Sequence, residues 1–119
     1  GAKEVTANDI DPYALAAIEL NARANGVDVD VRGDDLLGGD GGDADVILAG
    51  DVFYSPAMAA RMTGFIGRAT ARGATVLVGD PGRDHLPGHR FREVAGYPVA
   101  AAGAPPDDER TWVTVLRPT

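Results

Sequence analysis

Val46-Ile47-Leu48-Ala49-Gly50-Asp51-Val52-Phe53-Tyr54-Ser55-Pro56 is the stretch on which the fold turns. Its first four residues are apolar and close on Gly50-Asp51, the pattern of a strand buried on both faces of a helix-covered parallel sheet. Ser55-Pro56 starts a helix. Serine serves as the cap, and proline takes the first helical position, where its missing N–H costs nothing. Met58, Met62, Phe65 and Ile66 lie on one side of this helix, which runs to about Ala71 and ends at Gly73. Thr75-Val76-Leu77-Val78 then repeats the buried-strand pattern and runs into Gly79-Asp80-Pro81-Gly82-Arg83. A strand, a helix and a strand in this order form a parallel crossover.

Upstream, Val5 to Asn8 is a short strand, and Asp11-Pro12 caps a helix that reaches Asn25, with Gly26 as its left-handed stop. Val27, Val29 and Val31 alternate with Asp28, Asp30 and Arg32, a strand with one solvated face. Gly33 to Asp45 is a loop rich in Gly and Asp, and its tip at Gly38–Gly42 is expected to be mobile. Downstream, a short helix is expected over His89–Ala95. Strands are expected over Tyr97–Ala101 and Thr111–Arg117, joined by the loop Gly103–Glu109. That loop is too short for a helical crossover, so the last two strands form an antiparallel hairpin. The opening residues Gly1-Ala2-Lys3-Glu4 read as the end of a helix. The 119 residues are therefore expected to be the C-terminal part of one longer domain.

Composition narrows the function classes. Eleven Lys and Arg against 18 Asp and Glu give a net charge of −7, which argues against a nucleic-acid backbone binder. The chain is 45% apolar and 24% charged, enough to build a core. There is no cysteine, hence no thiol nucleophile or thiolate metal site, and a cytoplasmic setting is the expectation. No apolar run approaches the roughly 20 residues that span a bilayer. His85 and His89 are separated by Leu86-Pro87-Gly88, which breaks the helix an i, i+4 metal pair needs, so no metal site is expected. Trp112 is expected to pack within the terminal hairpin.

Open α/β sheets bind ligands beyond the carboxyl ends of their strands. An acid follows each of the first four expected strands: Asp9, Asp34-Asp35, Asp51 and Asp80. An ionised Asp9 suits the two vicinal hydroxyls of a ribose, as an acceptor only. Asp11 is better explained as the helix cap. Ile10 either lies against a flat base or packs into the core. Asp35, with Asp34 as the alternative, suits an exocyclic adenine amine between apolar walls from Leu36 and Leu37. The other reading is a solvated loop carboxylate beside two core leucines. An acid after the second strand signals a nucleoside, and NAD and S-adenosylmethionine both satisfy it.

Val5-Thr6-Ala7-Asn8-Asp9-Ile10-Asp11-Pro12 resembles the post-motif-I segment of class I S-adenosylmethionine-dependent methyltransferases. Asp51-Val52-Phe53-Tyr54 resembles the acidic-x-x-aromatic signature of the seven-strand protein-lysine methyltransferases. Gly79-Asp80-Pro81-Gly82-Arg83 looks most like the branch acting on the electron-transfer flavoprotein beta subunit. The resemblance implies an α/β, Rossmann-like, mostly parallel sheet with a C-terminal antiparallel hairpin. It also implies a first strand and a glycine-rich loop that have no counterpart in these residues. S-adenosyl-L-methionine is the implied methyl donor, with Asp9, Ile10, Asp35, Leu36 and Asp51 as its contacts. A protein lysine is the implied acceptor, with Asp51 orienting its nitrogen and Tyr54 lining the channel. Phe53 shares that role or fills core, and Asp80 and Arg83 shape the far side. Other readings are a small-molecule amine methyltransferase, a non-catalytic interaction module and an NAD-binding domain. The antiparallel hairpin disfavours the last of these. Without that first strand, two apolar strand edges would be left unpaired, which favours self-association of the isolated chain.

Overall fold

The computed structural model describes residues 1–100, 105 and 110–119. The backbone divides into two compact units, Gly1–Leu36 and Leu37–Thr119.

The first unit is β1 (Thr6–Asn8), α1 (Pro12–Ala24) and β2 (Asp30–Arg32). β1 and β2 pair in parallel, with Thr6 opposite Asp30 and Asn8 opposite Arg32. The Asp11 carboxylate accepts the Tyr13 backbone N–H at 2.9 Å, as a helix cap should. Gly26, at φ 63°, turns the chain out of α1. That left-handed conformation is strained for a residue with a Cβ.

The second unit holds β3 (Val46–Gly50), α2 (Pro56–Ala71), β4 (Thr75–Asp80), β5 (Phe91–Val99) and β6 (Thr111–Pro118). The strand order is β3-β4-β6-β5. The first pair is parallel and the other two are antiparallel. The Ser55 hydroxyl accepts the Met58 N–H at 3.2 Å and caps α2. One face of α2, carrying Met62, Phe65, Ile66 and Ala69, packs into a core with Val76, Val78, Leu116, Phe53 and Phe91. The rings of Phe53 and Phe91 meet edge to face at 5.7 Å. No helix among the described residues is long and apolar enough to cross a membrane.

Several expectations need correction. The strands form two sheets, not one, because β1 pairs only with β2, and β3 only with β4, among the described residues. Among the described residues two ladders are parallel and two antiparallel, and the α/β class with its C-terminal antiparallel hairpin stands as expected. β3 is not covered on both faces: Val46 is 55% and Leu48 74% exposed. The expected helix over His89–Ala95 is absent. A single 3-10 turn, Gly88–Arg90, leads directly into β5. Tertiary pairing overrides the helix propensity of Arg92, Glu93 and Ala95, since this segment completes a ladder with β6 from Phe91–Pro118 to Val99–Thr111. A register shift between Glu93 and Ala95 absorbs the mismatch. Trp112 lies across Gly96, where an added Cβ would come within 2.5 Å of the indole ring, though 57% of the residue stays exposed. The Gly38–Gly42 tip, expected to be mobile, is tied to α2. Arg68 donates to the carbonyls of Leu37 (2.6 Å) and Gly39 (2.8 Å). Arg72, one helical turn on, donates to those of Asp40 (2.9 Å) and Ala44 (2.7 Å). The loop expected over Gly103–Glu109 and the expected strand end at Ala101 fall largely or wholly outside the described residues.

Candidate active site

In the first unit the parallel register places Asp9 and the Gly33–Asp35 segment at the same, carboxyl end of the sheet. The Asn8 side-chain amide ties them together, donating to the carbonyls of Arg32 and Asp34 at 2.8 Å each. The Asp9 N–H donates to the Arg32 carbonyl at 3.3 Å. One Asp9 oxygen, Oδ1, accepts the Asp11 N–H at 3.0 Å, which fixes the carboxylate at the turn into α1. Ile10 is 68% exposed and is not part of the core. Arg32 grips Asp34 through two bonds, at 3.1 and 2.7 Å, so Asp34 is committed to that ion pair. Asp35 stands exposed beside it, and Leu36 is half-buried.

In the second unit the ends of β3 and β4 are joined by an ion pair. Arg83 grips Asp51 with its fork, Nε to Oδ1 and Nη2 to Oδ2, each at 2.7 Å. Both side chains are about half exposed. The geometry depends on two local devices. At Asp51 the backbone enters the left-handed region, φ 49°, while its N–H donates to the Gly79 carbonyl at 2.9 Å. Asp is one of the few residues with a Cβ that visit this region readily. At Asp80 the carboxyl is buried, and its Oδ2 accepts the N–H groups of Gly82 and Arg83, both at 2.9 Å. Gly82 turns at φ 95°. The resulting loop aims Arg83 back across to Asp51. The other Asp80 oxygen, Oδ1, is buried without a hydrogen-bond partner among the described residues.

The guanidinium holds the Asp51 carboxyl below its ordinary value of 3.8, mainly through the two hydrogen bonds and further through its charge, with slight burial working the other way. Arg83 is raised in turn by Asp51, with a smaller push from Asp80. Asp51 is thus an ionised acceptor and a poor base. Tyr54, three residues on, is 55% exposed. Phe53 is fully buried, so of its two expected roles it fills core. Position alone assigned Arg83 to the far side of the site, whereas the structure bonds it to the central carboxylate. The sequence signal was Asp80-Pro81-Gly82-Arg83, a side-chain-closed turn that presents the arginine. One hollow of this unit, about 420 Å³, lies at the opposite end of the sheet, lined by Thr63, Ile66, Arg90 and Phe91 among others. Its lining side chains include no acid.

Solved structures match the fold. The chain superposes on Streptococcus pneumoniae Sp1610 with a TM-score of 0.58 at 16% identity, covering 98% of this chain and 53% of that one. It superposes on the B. subtilis tRNA methyltransferase TrmK with a TM-score of 0.54 at 16% identity, covering 99% and 51%. The fold is a methyltransferase fold. Sequence comparison carries the assignment further: curated homologues of this chain are electron transfer flavoprotein beta subunit lysine methyltransferases. The Mus musculus enzyme is 38% identical over 94 residues, the Xenopus laevis enzyme 37% over 91 and the Homo sapiens enzyme 34% over 94. These alignments cover 75–77% of this chain but 36–37% of the relatives, so the chain spans just over a third of their length. No protein-family model matches it.

Proposed function

We propose that the protein of which this chain is part transfers a methyl group from S-adenosyl-L-methionine to the side-chain nitrogen of a protein lysine. The acceptor we favour is the electron transfer flavoprotein beta subunit, on which the homologues are named to act. The observation that carries this reading is the conjunction of 34–38% identity to those enzymes with an ionised Asp51 and an exposed Tyr54 at one strand end.

The residues of the first unit suit an adenosine. Asp9 keeps one carboxylate oxygen beyond its bond to Asp11, available to ribose hydroxyls. Exposed Ile10 offers an apolar surface to the base, and Asp35 with Leu36 suits the adenine edge. Asp51 keeps both roles that the resemblance implies, contact to the cofactor and orientation of the acceptor nitrogen. The methyl donor supplies an activated sulfonium carbon. The lysine nitrogen attacks with its lone pair in line with the departing sulfur. The N–C bond forms as the C–S bond breaks, the electron pair leaves on sulfur, and water takes the surplus proton. Chain residues orient and select: Asp51 accepts an N–H from the lysine nitrogen, and Tyr54 lays its ring against the side chain and the cationic product. Lysine is protonated near pH 7, with an ordinary pKa of about 10.4, so the reacting form must be the neutral amine. Desolvation in a closed channel favours that form. Incubating the full-length protein with the beta subunit and S-adenosyl-L-methionine, followed by peptide mass spectrometry, tests this reading. Methylated lysine is expected, and an unmodified acceptor in the presence of bound donor would refute it.

A further inference from the structure

An anionic carboxylate beside the acceptor nitrogen poses a problem. It orients the nitrogen, but a lone negative charge within about 4–6 Å also stabilises the ammonium form, which has no lone pair with which to attack. The structure carries an answer. Both Asp51 oxygens are already engaged by one guanidinium, at 2.7 Å each, in the bidentate geometry that places positive charge closest to the carboxylate. Each oxygen retains a second lone-pair direction for an incoming N–H. Arg83 is held there by the Asp80 turn, and the turn is set by two backbone bonds to a buried carboxyl. Of the charged and titratable neighbours, Asp80 bears on Arg83 from the end of β4. Tyr54 follows β3 on the Asp51 side, and Asp84 and His85 are exposed in the loop beyond Arg83.

We propose that Arg83 is a positioning residue that compensates the charge of Asp51, so that the carboxylate orients a neutral amine without selecting the ammonium ion. The proposal rests on the lysine reading above and adds to it a residue that selects the protonation state of the acceptor. A carboxylate paired in this way presents a hydrogen-bond acceptor with little net field. A carboxylate freed of its partner presents a cation trap.

The test uses the full-length protein and the beta subunit as acceptor. Wild type, Arg83→Gln and Arg83→Lys are compared for methyl transfer against pH and for acceptor binding by calorimetry without methyl donor. In Arg83→Gln the acceptor binds more tightly and its KM falls. The rising limb of kcat moves to higher pH by about one unit, the low end of the carboxylate effect because the site is half exposed. At neutral pH that is about a tenfold loss of kcat. Arg83→Lys retains the charge and keeps the limb within about 0.3 unit of wild type, while the lost fork lowers kcat. A loss of kcat in Arg83→Gln with an unmoved limb and unchanged acceptor affinity would overturn the proposal in favour of a purely structural arginine. Unchanged kinetics in Arg83→Gln would overturn it as well. Thermal melts verify that both variants are folded, and if Arg83→Gln is not, Arg83→Met takes its place. If wild type neither binds nor methylates the acceptor, it is the lysine reading that fails, a result distinct from both.

Discussion

Replacing Phe53 with alanine probes the packing that places the candidate site. Phe53 lies two residues after Asp51 and one before Tyr54, and it is fully buried, with its ring edge to face with Phe91 at 5.7 Å. Removing such a ring costs about 3–5 kcal/mol, of which the aromatic pair accounts for about 0.5–1.5. With an unfolding entropy of about 2.1 cal/mol/K per residue, 119 residues give about 0.25 kcal/mol/K. Each kcal/mol therefore lowers the melting temperature by about 4 °C, and Phe53→Ala by about 12–20 °C. Phe53→Leu keeps most of the buried surface and loses less. Calorimetric or fluorescence melts of the three proteins measure this. A drop below about 4 °C for the alanine variant would mean that Phe53 is not a core anchor, and the placement of Asp51 and Tyr54 argued from it would fall.

Three further outcomes follow from the same geometry. Asp80→Ala removes both bonds that close the Gly82–Arg83 turn, and urea titration should show a loss of about 1–3 kcal/mol. Equal stability would refute the buried-turn argument. Asp51 is held below its ordinary value, so the stabilisation its ionised form provides is present above about pH 4 and is lost as pH falls through the lowered value. Melts of wild type and Asp51→Asn should accordingly differ at pH 7 and converge as pH falls through the lowered value, and a gap constant with pH would contradict the linkage. Finally, β3 pairs only with β4 among the described residues and exposes Val46 and Leu48, an apolar strand edge of the kind that recruits other chains. Light scattering on the 119-residue chain should find dimers or larger species, and a monodisperse monomer would count against this.

What could be read from the sequence was local. Asp11-Pro12 and Ser55-Pro56 announced both helices because caps act within three residues, and Gly26 and Gly73 marked their ends for the same reason. The hairpin followed from chain length, since so few residues cannot hold a crossover helix. The features that were not legible depend on distant partners. Arg92, Glu93 and Ala95 are good helix formers, and they join a strand because Thr111–Pro118 lies alongside them. Val46 and Leu48 look like any buried apolar run, because composition does not reveal which face a neighbour covers. The acids at the strand ends were visible as a set. That Arg83 would fasten onto Asp51 was not, since the bond spans 32 residues and is aimed by a buried turn. That Arg32 would grip Asp34 was not legible either, since the sequence offers two adjacent and like carboxylates there.

The central claim is that this fold serves a methyl donor carrying adenosine. Titrating S-adenosyl-L-methionine into the full-length protein in a calorimeter tests it most directly, with Asp9→Ala and NAD as controls. The account predicts saturable binding of S-adenosyl-L-methionine that weakens markedly in Asp9→Ala, and no binding of NAD. Heat from NAD alone, or donor binding indifferent to Asp9, would contradict it.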